Sequence, residues 1–413
     1  MRKINRKPFW IGLVCLLTMA GIVAAGFVWL YPLFSQPQSS PVPPVDYSAE
    51  YAEKWCYRQL SERQQENYAA VYAAIREGFG KDTSVTLENS VNKESSVTAL
   101  GETVTLPQPL AEAPEIQRLY SAVLRDNPSF FYVGSTYSYQ GYRTGNVTKY
   151  NTLYLTYTMN AAERAAAQTE LEASVARYVS ATASLKTQYE KELWLHDMLL
   201  NSCSYNKKAA ESSSPLTEYP NDFTAYGALV KGEAVCEGYA NAMQLLLSHV
   251  GITSTSVSGF DEKHNPHMWN LVEIDGGRYY LDATWNDLSP YFSRLYFNMN
   301  TEDLLRTHKL DRDNFGLDEY TDTSANYFVR SGRFVDDYDR ETIAALVAEA
   351  VTAGETCIQL RFAEDKYTNA LLFVNNEEWF SSMVEEKMNG TFLWEFGYST
   401  APEYHTIAIY KKS

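Results

Sequence analysis

The sequence predicts an α+β chain behind a single N-terminal transmembrane helix, with an α+β leader domain, an α+β core and a small C-terminal α+β domain. Three observations predict it. A charge-free run from Phe9 to Phe34 follows a basic flank of Arg2, Lys3, Arg6 and Lys7. Segments with a helical apolar period then alternate with Tyr-, Thr- and Val-rich segments of strand character. Finally, a cysteine, a histidine and an aspartate, Cys236, His267 and Asp282, fall in that order within one short stretch.

The N-terminal segment is justified by length. A membrane span needs about 20 apolar residues, and the run here is longer. Residues 1–7 form a basic tail, 8–34 the anchor and 35–45 (SQPQSSPVPPV) a Pro/Ser linker. The positive-inside bias places the N-terminus in the cytoplasm and the rest outside, as a single-pass protein of the cell membrane. A cleaved signal peptide is the rival reading. Its apolar region would end well before Phe34.

The leader covers residues 46–183. Apolar residues recur at Tyr51, Trp55, Leu60, Tyr68, Val71, Tyr72 and Ile75 on a helical period, and Ser61-Glu62-Arg63-Gln64 is a capping-box pattern. Residues 114–128 predict a second helix ended by Asn127-Pro128. Phe130–Tyr139 and Thr148–Met159 read as strands, and 161–200 as helix.

The core covers residues 184–310. Ala240, Met243, Leu246, Leu247 and Val250 keep helical spacing from Cys236, and Gly251 supplies the stop. Cys236 is therefore expected at a helix N-terminus, where the dipole favours thiolate. Asp275-Gly276 predicts a two-residue hairpin turn. That register places Asp282 mid-strand, diagonal to His267 and on its face. Another histidine, His308, reads as a surface residue. The C-terminal domain covers 325–413, with strands at Tyr327–Arg330, Cys357–Phe362, Phe392–Tyr398 and His405–Tyr410 and a helix at Asp339–Val351.

Composition excludes some functions. The 413 residues carry a net charge of −16, against the basic footprint of nucleic-acid binders. Four cysteines outside the anchor, one of them a candidate nucleophile, do not make a disulfide framework. Cys-x-x-Cys and His-Glu-x-x-His are both missing from the sequence, so no metal and no cofactor is suggested.

A thiol attacks an acyl group as thiolate and needs a base, which needs a group to orient it. Cys236, His267 and Asp282 can fill these roles. Candidate cleft residues are Gly238, where another chain could approach closely, and Tyr239, Trp269, Asn270, Trp285 and Tyr226. The blocks Tyr226-Gly227-Ala228-Leu229-Val230, Gly232 to Ala240 (GEAVCEGYA), His267-Met268-Trp269-Asn270 and Asp282-Ala283-Thr284-Trp285 together resemble the transglutaminase-like superfamily. The resemblance covers about residues 184–300. It implies a papain-like fold, a Cys-His-Asp triad on Cys236, His267 and Asp282, and a bacterial membrane-anchored protein of the cell surface. It does not fix the reaction: a peptide or protein substrate is expected, with cell-wall peptide as one candidate, attacked through a thioacyl intermediate, and hydrolysis is favoured over transfer because water is abundant outside the cell. A catalytically silent binding or scaffolding module on the same fold is the alternative.

Overall fold

The computed structural model describes residues 45–88, 96–311, 315–390 and 395–412. The predicted anchor and nearly all of the linker lie outside the described residues. Among the described residues, no helix is long and apolar enough to cross a membrane. The chain is a mixed α+β protein that divides into two compact units. One runs to Asn270 and includes Leu310–Asp318; the other comprises Leu271–Lys309 and Glu319 onward.

The first unit opens with α1 (Ser48–Tyr51), α2 (Trp55–Arg58) and α3 (Glu62–Gly78). The predicted capping box starts α3, with Ser61 and Gln64 answering each other's backbone groups. Strands β1 (Ser84–Glu88) and β2 (Ser96–Leu110) follow, then α4 (Ala113–Asp126), β3 (Val133–Thr144) and β4 (Val147–Tyr157). The four strands form a sheet in the order β1-β2-β4-β3. Two of them, β1 and β2, are not predicted by the sequence reading. On α4, Ile116, Leu119 and Val123 are buried, and Leu124 is half-buried. The predicted helix over 161–200 is two helices, α5 (Ala161–Ala181) and α6 (Gln188–Ser202). Thr187 and Glu190 form a capping box that restarts the chain as α6.

After α6 come β5 (Ser204–Tyr205), α7 (Lys207–Glu211), α8 (Pro215–Glu218), a 3-10 turn at Pro220–Phe223, a π turn at Gly227–Lys231 and β6 (Glu233–Ala234). Helix α9 (Cys236–His249) starts at the cysteine, and Gly251 takes the left-handed conformation beyond its end with φ 76°. Of the inward face read from the sequence, Ala240, Met243, Leu246 and Leu247 are buried, while Val250 is the half-buried residue that closes the helix. Strands β7 (Ser254–Asp261) and β8 (Pro266–Ile274) neighbour each other, and β8 crosses the division between the units.

The second unit begins within β8. Asp275 and Gly276 both have positive φ, 51° and 85°, and join β8 to β9 (Gly277–Leu281) by the predicted two-residue turn. Past β9 the expectation fails. The strand ends at Leu281, and Asp282 is the N-cap of α10 (Ala283–Leu288). Asp282 is therefore not mid-strand. Its carboxylate takes the Trp285 N–H, so the chain turns into a helix at a residue suited to cap one. Helix α11 (Thr301–Leu305) and β10 (His308–Leu310) follow.

Tyr327–Arg330 is a helical turn, α12, and not a strand: the Asn326 side chain accepts the Phe328 N–H and caps it. Next come β11 (Phe334–Val335), α13 (Arg340–Thr352) and β12 (Cys357–Phe362). Because β11 and β12 are parallel, α13 is the crossover of a βαβ unit. Helices α14 (Glu364–Asn375) and α15 (Glu377–Lys387) precede β13 (Phe396–Ala401) and β14 (Thr406–Lys411). The sheet order is β11-β12-β14-β13, over a core that includes Ile343, Val347, Leu360, Phe373, Phe380 and Ile409.

Candidate active site

The first turn of α9 is braced from below. Val235, its N-cap, donates its N–H to Asp222 O at 2.9 Å. The Asp222 carboxylate accepts from Asn206 Nδ2 at 2.6 Å. Partial burial pushes the Asp222 carboxyl up, opposed by that hydrogen bond. Gly238 explains why the turn can pack so closely. A Cβ there would lie 2.4 Å from Asp222 O and 2.8 Å from Ala234 Cβ. The close neighbour at Gly238 is thus the protein's own backbone.

Cys236 is 4% exposed and packs with Ala240 and Met268. The first N–H groups of a helix have no acceptor within it, and they favour negative charge at this end. Strand β8 runs past this turn: Met268 meets Cys236, and Asn270 donates through Nδ2 to Ala240 O at 2.9 Å. His267 precedes Met268 and is largely buried, with its ring 5.7 Å from Trp269 at an interplanar angle of 30°. Trp269, Asn270 and Tyr239 are all buried. Tyr239 has no exposed area, so it packs in the interior. The Tyr226 hydroxyl donates to Glu170 at 2.6 Å, and its ring stacks on Phe131 at 5.0 Å.

A cavity of about 110 Å³ opens beside this turn, lined by Glu237, Asn241 and Met268 from the core and by Arg125, Phe131 and Tyr120 from the leader. None of these is among the cleft residues chosen from sequence. Glu237 and Asn241 lie one and five residues after Cys236; helical spacing alone does not show which side of a helix faces a cavity. The leader residues are brought there by tertiary folding.

The second unit holds Asp282 with another histidine. Asp282 has no exposed area, and its Oδ2 lies 3.1 Å from His308 Nε2. His308 is also buried, and so is not the surface residue expected. Its Nδ1 is 2.9 Å from Thr307 Oγ1, which is 2.6 Å from Tyr404 Oη. With Asp282 as carboxylate, Nε2–H must donate to it, so a neutral His308 accepts from the Thr307 hydroxyl and Thr307 accepts from Tyr404. Burial pushes the Tyr404 phenol up, keeping it a donor. Trp285, half-buried, lies 4.3 Å from the His308 ring and 5.1 Å from Tyr296. It lines a depression of about 300 Å³ with Leu288, Phe292 and Glu403. No sequence signal marks His308, since its partners Thr307 and Tyr404 meet only in the fold.

Residues 174–283 match the family model of the Transglutaminase-like superfamily, and the chain carries a transglutaminase-like domain over that segment. Cys236, His267 and Asp282 all lie within it. Three solved structures are similar to parts of the chain. A TGase crystal structure is 14% identical with a TM-score of 0.26, over 42% of this chain and 48% of that one. A candidate protease from Parabacteroides distasonis is 15% identical with a TM-score of 0.21, over 34% and 29%. A candidate cysteine protease from Cytophaga hutchinsonii is 13% identical with a TM-score of 0.23, over 37% and 63%. The chain thus spans less than two thirds of each of these. No curated protein matches it.

Proposed function

We propose that this chain is a membrane-anchored, extracytoplasmic cysteine enzyme of transglutaminase-like type that acts on amide or acyl bonds of peptides or proteins. The observation that carries this reading is Cys236 at the first position of α9, inside the transglutaminase-like segment. His267 removes the thiol proton and Asp282 orients His267. The thiolate attacks the carbonyl carbon, the C–N bond breaks, and His267 returns the proton to the leaving amine. Water then cleaves the thioester, releasing acid and restoring the thiol. His308, held between Asp282 and Thr307, acts as a positioning residue for the carboxylate. Anchoring rests on the charge-free run and its basic flank, and cell-wall peptide is a substrate to try first.

Hydrolysis is favoured over transfer because water is abundant outside the cell. A labelled primary amine added to the working enzyme measures the split between acid and amine adduct. Acid should dominate at millimolar amine; a dominant adduct makes the protein a transferase. A catalytically silent scaffolding module is the second reading, favoured by the burial of Cys236 and by the hold of His308 on Asp282. Under that reading a thiol probe labels Cys236 no faster than Cys203.

A further inference from the structure

A second cavity lies in the first unit at the opposite end of the helix that Cys236 begins. Its volume is about 760 Å³, within the range of roughly 300–1,000 Å³ that small-molecule sites occupy. One wall is apolar: Leu171, Val175 and Val179 of α5, with Leu245 and Ile252 at the end of α9. Another comes from α1 and the start of α2, with Glu50 and Lys54.

Two polar atoms in the lining have no protein partner among the described residues. Gln244 is 4% exposed; its Nε2 donates to Arg125 O at 2.5 Å, while no protein donor reaches its Oε1. Ser254 Oγ is likewise buried with no protein partner. A buried acceptor without a donor is costly, so both atoms suit a ligand that brings N–H groups.

The charge of the lining selects the ligand further. Glu50, Glu53, Glu172 and Asp126 face it, against Lys54 and His249. Arg76 answers Glu50 at 3.5 Å, while among the described residues Glu172 meets the neutral amide of Gln168, at 2.8 Å. The last turn of α9 also points its carbonyl end here, where a helix favours cations.

We infer that this cavity is a second binding site, for a small amphiphilic cation: an apolar body against α5 and a protonated amine donating to Gln244 Oε1 and Ser254 Oγ. The inference goes beyond the thiol chemistry and does not depend on it. The test uses the full chain carrying Cys236→Ala, so that no acyl group can pass to an amine probe. Phenethylamine, 3-phenylpropionate and 3-phenylpropanol are titrated in turn by isothermal calorimetry. The amine should bind at one site, at least tenfold tighter than the carboxylate. Ala176→Trp, on the exposed side of the α5 wall, should abolish the binding, and Glu172→Gln and Gln244→Leu should each weaken it several-fold. Heat from none of the probes, equal affinity for amine and carboxylate, or binding that survives Ala176→Trp would overturn the proposal. Should Gln244→Leu fail to fold, the two surface variants carry the test.

Discussion

Asp282→Ala removes a helix cap and a buried hydrogen bond, and the sizes of these follow from the structure. Oδ1 caps α10 by accepting the Trp285 N–H at 3.0 Å, a contact worth about 1 kcal/mol when an Asp cap becomes Ala. Oδ2 takes the His308 Nε2–H at 3.1 Å, with both side chains fully buried. Its loss strands that donor, at about 1–3 kcal/mol. The alanine variant should therefore lose about 2–4 kcal/mol. Asp282→Asn should behave differently. Its carbonyl oxygen still caps α10, since Asn and Asp cap alike. Its amide faces His308, which can move its proton to Nδ1 while the Thr307 hydroxyl turns to accept it. The cost should be about 1 kcal/mol or less, the scale of one exchanged hydrogen bond. Turnover should still collapse, by as much as about 10⁴-fold where an Asp orients a catalytic histidine. Urea unfolding followed by circular dichroism gives the stability half, and a peptide-hydrolysis assay the other. An alanine variant within about 0.5 kcal/mol of the parent, the spread of neutral surface changes, or an asparagine variant as unstable as alanine, would refute the reasoning.

Gly238→Ala should destabilise by about 1–3 kcal/mol, because the added Cβ meets Asp222 O at 2.4 Å; thermal melting checks it, and an unchanged midpoint would contradict the close packing. Alkylation by iodoacetamide at neutral pH should label Cys236 before the other cysteines. Burial holds the Cys56 thiol well above its ordinary range and pushes Cys357 up to about 11. Since the thiolate reacts and the folded pKa is raised, Cys357 labelling should appear only as pH climbs towards that value, read by peptide mass mapping; equal labelling of all sites at neutral pH would count against an activated Cys236. Protease added to intact protoplasts should digest the chain beyond Ser35, and full protection would reverse the proposed orientation.

The start of α9 was legible because its apolar residues keep helical spacing from Cys236 and Gly251 stops it. The β8–β9 turn was legible because Asp-Gly suits a turn with two positive φ angles. Asp282 was misread because Tyr279-Tyr280-Leu281 has strong strand character that masks a cap one residue later. The failure at Tyr327–Arg330 has the same cause: Tyr, Phe and Val favour strands, and one Asn326 side chain outweighs them. Strand β2 contains Gly101 and Pro107, which break a strand pattern, and so went unread. His308 shows the deeper limit. Its role depends on Tyr404, 96 residues further along the chain, and no local pattern carries that pairing.

The central claim is that Cys236 forms a thioacyl intermediate with His267 as its base. Mass spectrometry of the full chain, intact and after digestion, quenched during turnover of an activated acyl-peptide ester, tests it most directly. One acyl group should be found on the peptide bearing Cys236. It should be absent in Cys236→Ala, which stays folded because the change leaves little cavity, and should build far more slowly in His267→Ala. An adduct that persists in Cys236→Ala, or one that forms at the parental rate without His267, would contradict the account.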